Sequence, residues 1–159
     1  MSGRVDGATA PTGVQVTTAL AVLLATDGSD QALKAAAFLA RILPPGSNVE
    51  VLTVLSMRLS TCTYMGELSD AEARRAEIAE ETAKATEQTR RILEEAGHVV
   101  TVRRRFGNPP DEALAEIEAS GPDLVVVGRR GLGRAASLVL GSVSTYLVRH
   151  SAVPVLVVP

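Results

Sequence analysis

Leu124-Val125-Val126-Val127 runs directly into Gly128-Arg129-Arg130-Gly131, and after nine further residues the chain reads Gly141-Ser142-Val143-Ser144. The apolar run reads as a buried strand, and the pattern from Ser142 to Arg149 as a helix that follows the loop. Glycine lacks a Cβ, so it adopts positive φ and lets an anion approach main-chain N–H groups at hydrogen-bond distance. The unpaired N–H groups and positive dipole end of the helix favour negative charge at the same place. Two anion-binding devices converge, and the stretch predicts a phosphate site. Either glycine pair alone would be an ordinary connecting loop; strand, spacing and hydroxyl-rich helix start together carry the reading. No Gly-Lys-Ser/Thr follows the strand, so this is not a Walker loop. The dinucleotide GxGxxG pattern is also absent, because the third glycine stands ten residues on from Gly131 and no acidic residue follows at the required distance.

Working outward, the chain alternates strands with helices. Val22 to Ala25 predicts a first buried strand that ends at Thr26-Asp27-Gly28-Ser29. Ser29 or Asp30 caps a helix over Gln31 to Leu43, with Ala32, Ala36, Leu39 and Ile42-Leu43 on its apolar face and Lys34 and Arg41 opposite. Pro44-Pro45-Gly46 stops it, and Val49 to Leu55 predicts a second strand, completing a parallel, right-handed βαβ unit. Ser56 to Leu68 shows no period and reads as a mobile loop. Ser69 with Glu72 forms a capping box for a long helix, Asp70 to Ala96, closed by Gly97 at C′. Its many charges read as a solvated face. Val99 to Phe106 predicts a third strand, with Val100 and Val102 alternating with Arg103 and Arg105. Gly107-Asn108-Pro109 turns into a helix over Asp111 to Ala119, with Asn108 as cap and Pro109 in first position. Ser120-Gly121-Pro122 breaks it, Asp123 introduces the fourth strand, and Val153 to Val158 predicts a fifth. The expected fold is a three-layer α/β sandwich with its ligand at the carboxyl ends of the strands, where the strand order reverses.

Composition agrees with that class. A chain of 159 residues forms one domain, and with no Trp, two Phe and two Tyr, its core falls to Val, Leu, Ile and Ala. A formal net charge of −2 argues against a nucleic-acid partner, which calls for a basic surplus. No apolar run reaches the ~18–20 residues that span a bilayer, so no membrane partner is expected. Met1 to Thr18 has no apolar core ahead of a cleavage site and reads as a disordered tail before a domain over residues 19–159. With one cysteine, Cys62, no internal disulfide forms, and the cytoplasm is the expected compartment.

The Gly128-Arg129-Arg130-Gly131, nine-residue, Gly141-Ser142 spacing, the Ala25-Thr26-Asp27-Gly28-Ser29 strand end, the Gly107-Asn108-Pro109 turn and the closing Val153-Pro154-Val155-Leu156-Val157-Val158 resemble the universal stress protein family. The resemblance covers Ala19 to Pro159. It implies a Rossmann-like nucleotide-binding fold, with a five-stranded parallel sheet ordered 3-2-1-4-5, and a homodimer formed through the last strand. Of the family's two branches, the chain resembles the ATP-binding one, which keeps the three glycines and the hydroxyl. It further implies a phosphate site at Gly131, Gly141, Ser142, Val143 and Ser144, with Val127-Gly128 beside the ribose. Ala25, Thr26, Asp27 and Val54 then contact adenine and ribose.

Each placement has a physical basis and a plainer alternative. Ser142 and Ser144 can donate to phosphate oxygens or simply cap a helix. Asp27 can accept from the ribose or amine, or hold Mg²⁺ through water, or form a turn. Val54 can wall the base or be one more strand valine. Arg129 and Arg130 can reach the β- and γ-phosphates or be solvated, and Arg134 shares that ambiguity. His98 and His150 have no acidic or cysteine neighbours at ligand spacing and read as structural, and Cys62 reads as an inert residue rather than a redox-sensitive thiol because no cation stands beside it in the sequence.

The leading functional reading is a nucleotide-dependent regulatory module of a stress response. ATP occupancy would alter the loop Ser56 to Leu68 and its contact with a regulatory protein. That mechanism requires different affinities for two loop states. A second reading is a slow ATPase or phosphoryl-transfer enzyme, for which Arg129, Arg130, Asp27 and the serines offer no set of base and metal ligands. A third is a dimeric scaffold that binds no nucleotide. A cyclic nucleotide in place of ATP also stays open, because the loop does not count phosphates.

Overall fold

A computed structural model describes residues 18–56, 68–129 and 140–159, with the side chains of residues 68–75 and 78 excepted. The tail before Thr18, most of the Ser56 to Leu68 loop with Cys62, and Arg130, Gly131 and Arg134 lie outside the described residues. The elements run β1 (Ala21–Thr26), α1 (Asp30–Ile42), β2 (Asn48–Leu55), α2 (Leu68–Glu95), β3 (Val99–Phe106), α3 (Pro109–Ser120), β4 (Leu124–Gly128), α4 (Ser142–His150) and β5 (Val155–Val158). The strands pair in parallel in the order β3-β2-β1-β4-β5, with Val22 opposite both Val49 and Leu124.

Alternation along the central strands divides the core in two. Val22, Leu24, Val49, Val51 and Val126 pack under α1 and α2 with Ala35, Ala36, Leu39 and Leu93. Leu23, Leu52 and Val125 pack under α3 and α4 with Ala113, Ile117 and Leu147. Alanines on α1 let the helix lie close to the sheet, and they include Ala35, which the predicted face omitted. Ile42, expected inside, is 48% exposed because α1 ends there.

Local chemistry sets the ends of the elements. Ser29 caps α1, its Oγ accepting from the Ala32 N–H at 3.3 Å. Gly97, at φ +86°, ends α2 in a Schellman turn in which its N–H donates to the Glu94 carbonyl and that of His98 to the Leu93 carbonyl. The helix begins at Leu68, so Ser69 lies inside the first turn rather than before it. Asn108 occupies the cap position of α3 without a capping hydrogen bond, and its amide donates to Asp111 instead. β5 starts two residues later than expected. Ser151 Oγ accepts the Val153 N–H and donates to the Val153 carbonyl, which holds that residue in a turn.

β3 is an edge strand, and Val102 is 39% exposed although Val100, on the same face, packs on the core. Its arginines bind α3: Glu116 is 2% exposed and pairs with Arg103 at 3.2 Å and with Arg105. On α2, Arg90 and then Arg91 hold the Glu87 carboxyl down at about 2. Such exposed pairs contribute little to stability.

Glu50 on β2 stands beside Glu116. Burial, then the Glu116 carboxylate, push its pKa above the usual glutamate range, while Arg103, 3.4 Å away, opposes the shift. A carboxyl raised in the folded chain binds its proton more tightly there than in the unfolded chain. Folding stability therefore falls as pH climbs from the ordinary glutamate value through the raised one. Glu50→Gln is expected to gain thermal stability over the parent as pH rises from about 4 to about 7. A melting-temperature difference that stays constant across that range would contradict the assignment.

Candidate functional site

β1 has β2 on one side and β4 on the other, so the chain leaves it in opposite directions and opens a crevice at the carboxyl edge of the sheet. A cavity of about 250 Å³ lies there. The end of β1 contributes Ala25, Thr26 and Asp27, β2 contributes Leu52 and Val54, and β4 contributes Val127 and Gly128. The start of α4 adds Gly141, Ser142, Val143 and Ser144, and Ala32, Pro109 and Ala113 complete the wall.

The turn after β1 is fixed by its own side chains. Thr26 Oγ1 accepts the Gly28 N–H at 3.2 Å, and Asp27 Oδ1 accepts that of Ser29 at 3.0 Å. Gly28 sits at φ +81°, and a Cβ there would lie 3.0 Å from the Ala85 Cβ on α2. Both conformation and space require glycine at this position.

Gly128 and Gly141 behave differently from the expectation. Gly141 has φ −63° and Gly128 continues β4, so neither uses the left-handed region. Their lack of a side chain keeps backbone accessible beside the cavity. The Gly141 N–H donates to the Arg129 carbonyl at 2.9 Å, and the Arg129 N–H donates to the Val158 carbonyl at 2.7 Å. The two ends of the loop are thereby tied to each other and to β5.

Thr145 N–H makes the first bond of the α4 ladder, to the Gly141 carbonyl, so the N–H groups of Ser142, Val143 and Ser144 precede it. α4 has no acidic residue in its first turn, whereas α1 carries Asp30 there and α3 carries Asp111 and Glu112. No acid of its own first turn offsets the positive end of the α4 dipole. The two serines divide in role. Ser144 is 2% exposed, and its Oγ donates to the carbonyls of Gly141 (2.9 Å) and Arg129 (3.2 Å), while Ser142 is exposed at the helix start.

Ten of the residues expected at a nucleotide site thus line one cavity: Ala25, Thr26, Asp27, Val54, Val127, Gly128, Gly141, Ser142, Val143 and Ser144. Arg129 stands beside it through its backbone, with its Nε buried and without a hydrogen-bond partner among the described residues. Ala32, Leu52, Pro109 and Ala113 were not anticipated. The stripe Pro109, Ala113, Ile117 at helical spacing was the available signal for the α3 wall. His98 precedes β3 at the amino end of the sheet, away from the cavity, and among the described residues no group of three His, Cys, Asp or Glu is arranged to hold a metal.

The family model described as the universal stress protein family matches residues 20–159. The chain belongs to the universal stress protein family. The universal stress protein YxiE of Bacillus subtilis is 33% identical over 147 residues, covering 86% of this chain and 97% of that one. Among solved structures, the universal stress protein UspA from Lactobacillus plantarum superposes with a TM-score of 0.71 at 20% identity, covering 87% of this chain and 96% of that one. A universal stress protein in complex with cAMP gives a TM-score of 0.57 at 25% identity, covering 89% and 98%. A family member from Arabidopsis thaliana with AMP bound gives 0.63 at 21%, covering 86% and 89%.

Gly28→Ala tests the turn that leads into the cavity. Left-handed strain and the Ala85 contact together are expected to destabilise the chain by about 1–3 kcal/mol, read as a lower melting temperature. An unchanged melting temperature would mean that the turn relaxes freely.

Proposed function

We propose that this universal stress protein is a cytoplasmic adenine-nucleotide-binding module, with ATP as its ligand, that regulates a protein partner in a stress response. The observation that carries the reading is the acid-free start of α4 facing one cavity with the apolar ends of β1 and β2. Backbone N–H groups suit phosphate, and the wall of Ala25, Leu52, Val54 and Ala113 suits a flat apolar ring. The solved relative in complex with cAMP supports an adenine nucleotide as the ligand class. Asp27 lines the same cavity and would hold the magnesium ion of Mg·ATP through water. The reading is binding rather than turnover, with ATP hydrolysis slow or absent. Multiple turnover near the ~1–100 s⁻¹ of kinases would refute it.

Calorimetric titration of nucleotide-stripped protein with Mg·ATP is expected to show one site. Gly141→Val, which sets a branched side chain against the start of α4, is expected to lose at least about tenfold in affinity. Equal binding by both proteins would remove the glycine loop from the site.

The reading also includes a homodimer through β5. Val155, Leu156 and Val157 are only half-buried on this edge strand, and Val148 on α4 is 51% exposed. An apolar edge left open invites uncontrolled pairing, and a second copy closes it. Light scattering at micromolar concentration is expected to return twice the 16.6 kDa chain mass; a monomer would refute the dimer.

A further inference from the structure

The first turn of α3 forms a wall of the cavity that none of the nucleotide-loop residues provides. Pro109 and Ala113 stand one helical turn apart and both line it. Ala113 is 1% exposed and packs with Leu23, Leu52 and Ile117, so its methyl has core behind it and cavity in front. The wall is held in place from several sides. At Gly107, φ is +150°, a backbone conformation that residues with a Cβ rarely adopt, so glycine suits the turn, and the flexible Glu112 side chain packs against it. Asp111 accepts from the Asn108 amide. Arg105 reaches from β3 to Glu112 and Glu116.

Resting on the nucleotide reading above, we propose that this turn of α3 is the base-selecting wall of the site. Ala113 is its specificity-determining residue, and the Arg105 pairs with Glu112 and Glu116 position it. The topology supports this division. α3 closes the β2 side of β1, where the lining is apolar, whereas the donors of α4 belong with β4. A flat base inserted on the β2 side meets Ala113, and the phosphates do not. With core directly behind the methyl, any added carbon at 113 projects into the space of the base.

Calorimetry with ATP and with AMP tests the assignment, because the two share the base and differ only in phosphates. Ala113→Val is expected to weaken both by the same factor, about tenfold or more. Arg105→Lys keeps the charge but loses the guanidinium contacts to Glu112 and Glu116; it is expected to weaken both equally by a smaller factor. Circular dichroism reports folding. Should Ala113→Val unfold, Arg105→Lys decides. Unchanged affinities, or a loss greater for ATP than for AMP, would overturn the proposal. A parent protein that binds neither nucleotide would overturn the nucleotide reading itself, and this inference with it.

Discussion

Parallel pairing of β1 with β2 on one side and β4 on the other is the constraint on which the molecule depends. Each parallel step needs a helical crossover, and right-handedness sends α1 to one face and α3 to the other according to the direction of travel. Both faces of β1 are then covered, which is why Val22, Leu23 and Leu24 are all buried and all apolar. The same reversal parts the chain at the carboxyl end of β1. Core and crevice are two consequences of one topology.

A cavity at that position acquires chemistry from the elements that end there. Three helices begin around it, and two of them neutralise their own dipole with acids in the first turn. α4 does not. Its start is anchored by the Gly141 and Ser144 bonds to the Arg129 carbonyl, and Arg129 in turn is bonded to β5. The N–H groups at the start of α4 are thus held on a framework continuous with the sheet, and donors oriented in this way need little ordering to meet an acceptor.

The order of elements and most of the cavity wall could be read from the sequence because both depend on local patterns: apolar runs, glycine spacing, caps. β3 matched its expected span of Val99 to Phe106, yet no local pattern marks Val102 as 39% exposed while Val100, on the same face, packs on the core. Position within the sheet decides burial, and an edge strand obeys neighbours that no period reveals. Ser144 shows the same limit at the site. A hydroxyl at a helix start reads as a phosphate donor, but two carbonyls from different segments engage it here. The α3 wall escaped for a related reason, since Ala113 is an unremarkable alanine until the fold sets it opposite Leu52.

Charge is distributed in the same spirit. The buried carboxylate of Glu116 is answered by two arginines from β3, which fastens the edge strand to α3. A buried ion pair of this kind adds little net stability, because desolvation consumes most of the attraction, but losing either partner strands a charge. Its effect is therefore on geometry. Arg103 and Arg105 fix where α3 lies over β2, and α3 carries Pro109 and Ala113 to the cavity. A salt-bridge cluster at the sheet margin thus acts on the width of a pocket to which it contributes no lining atom.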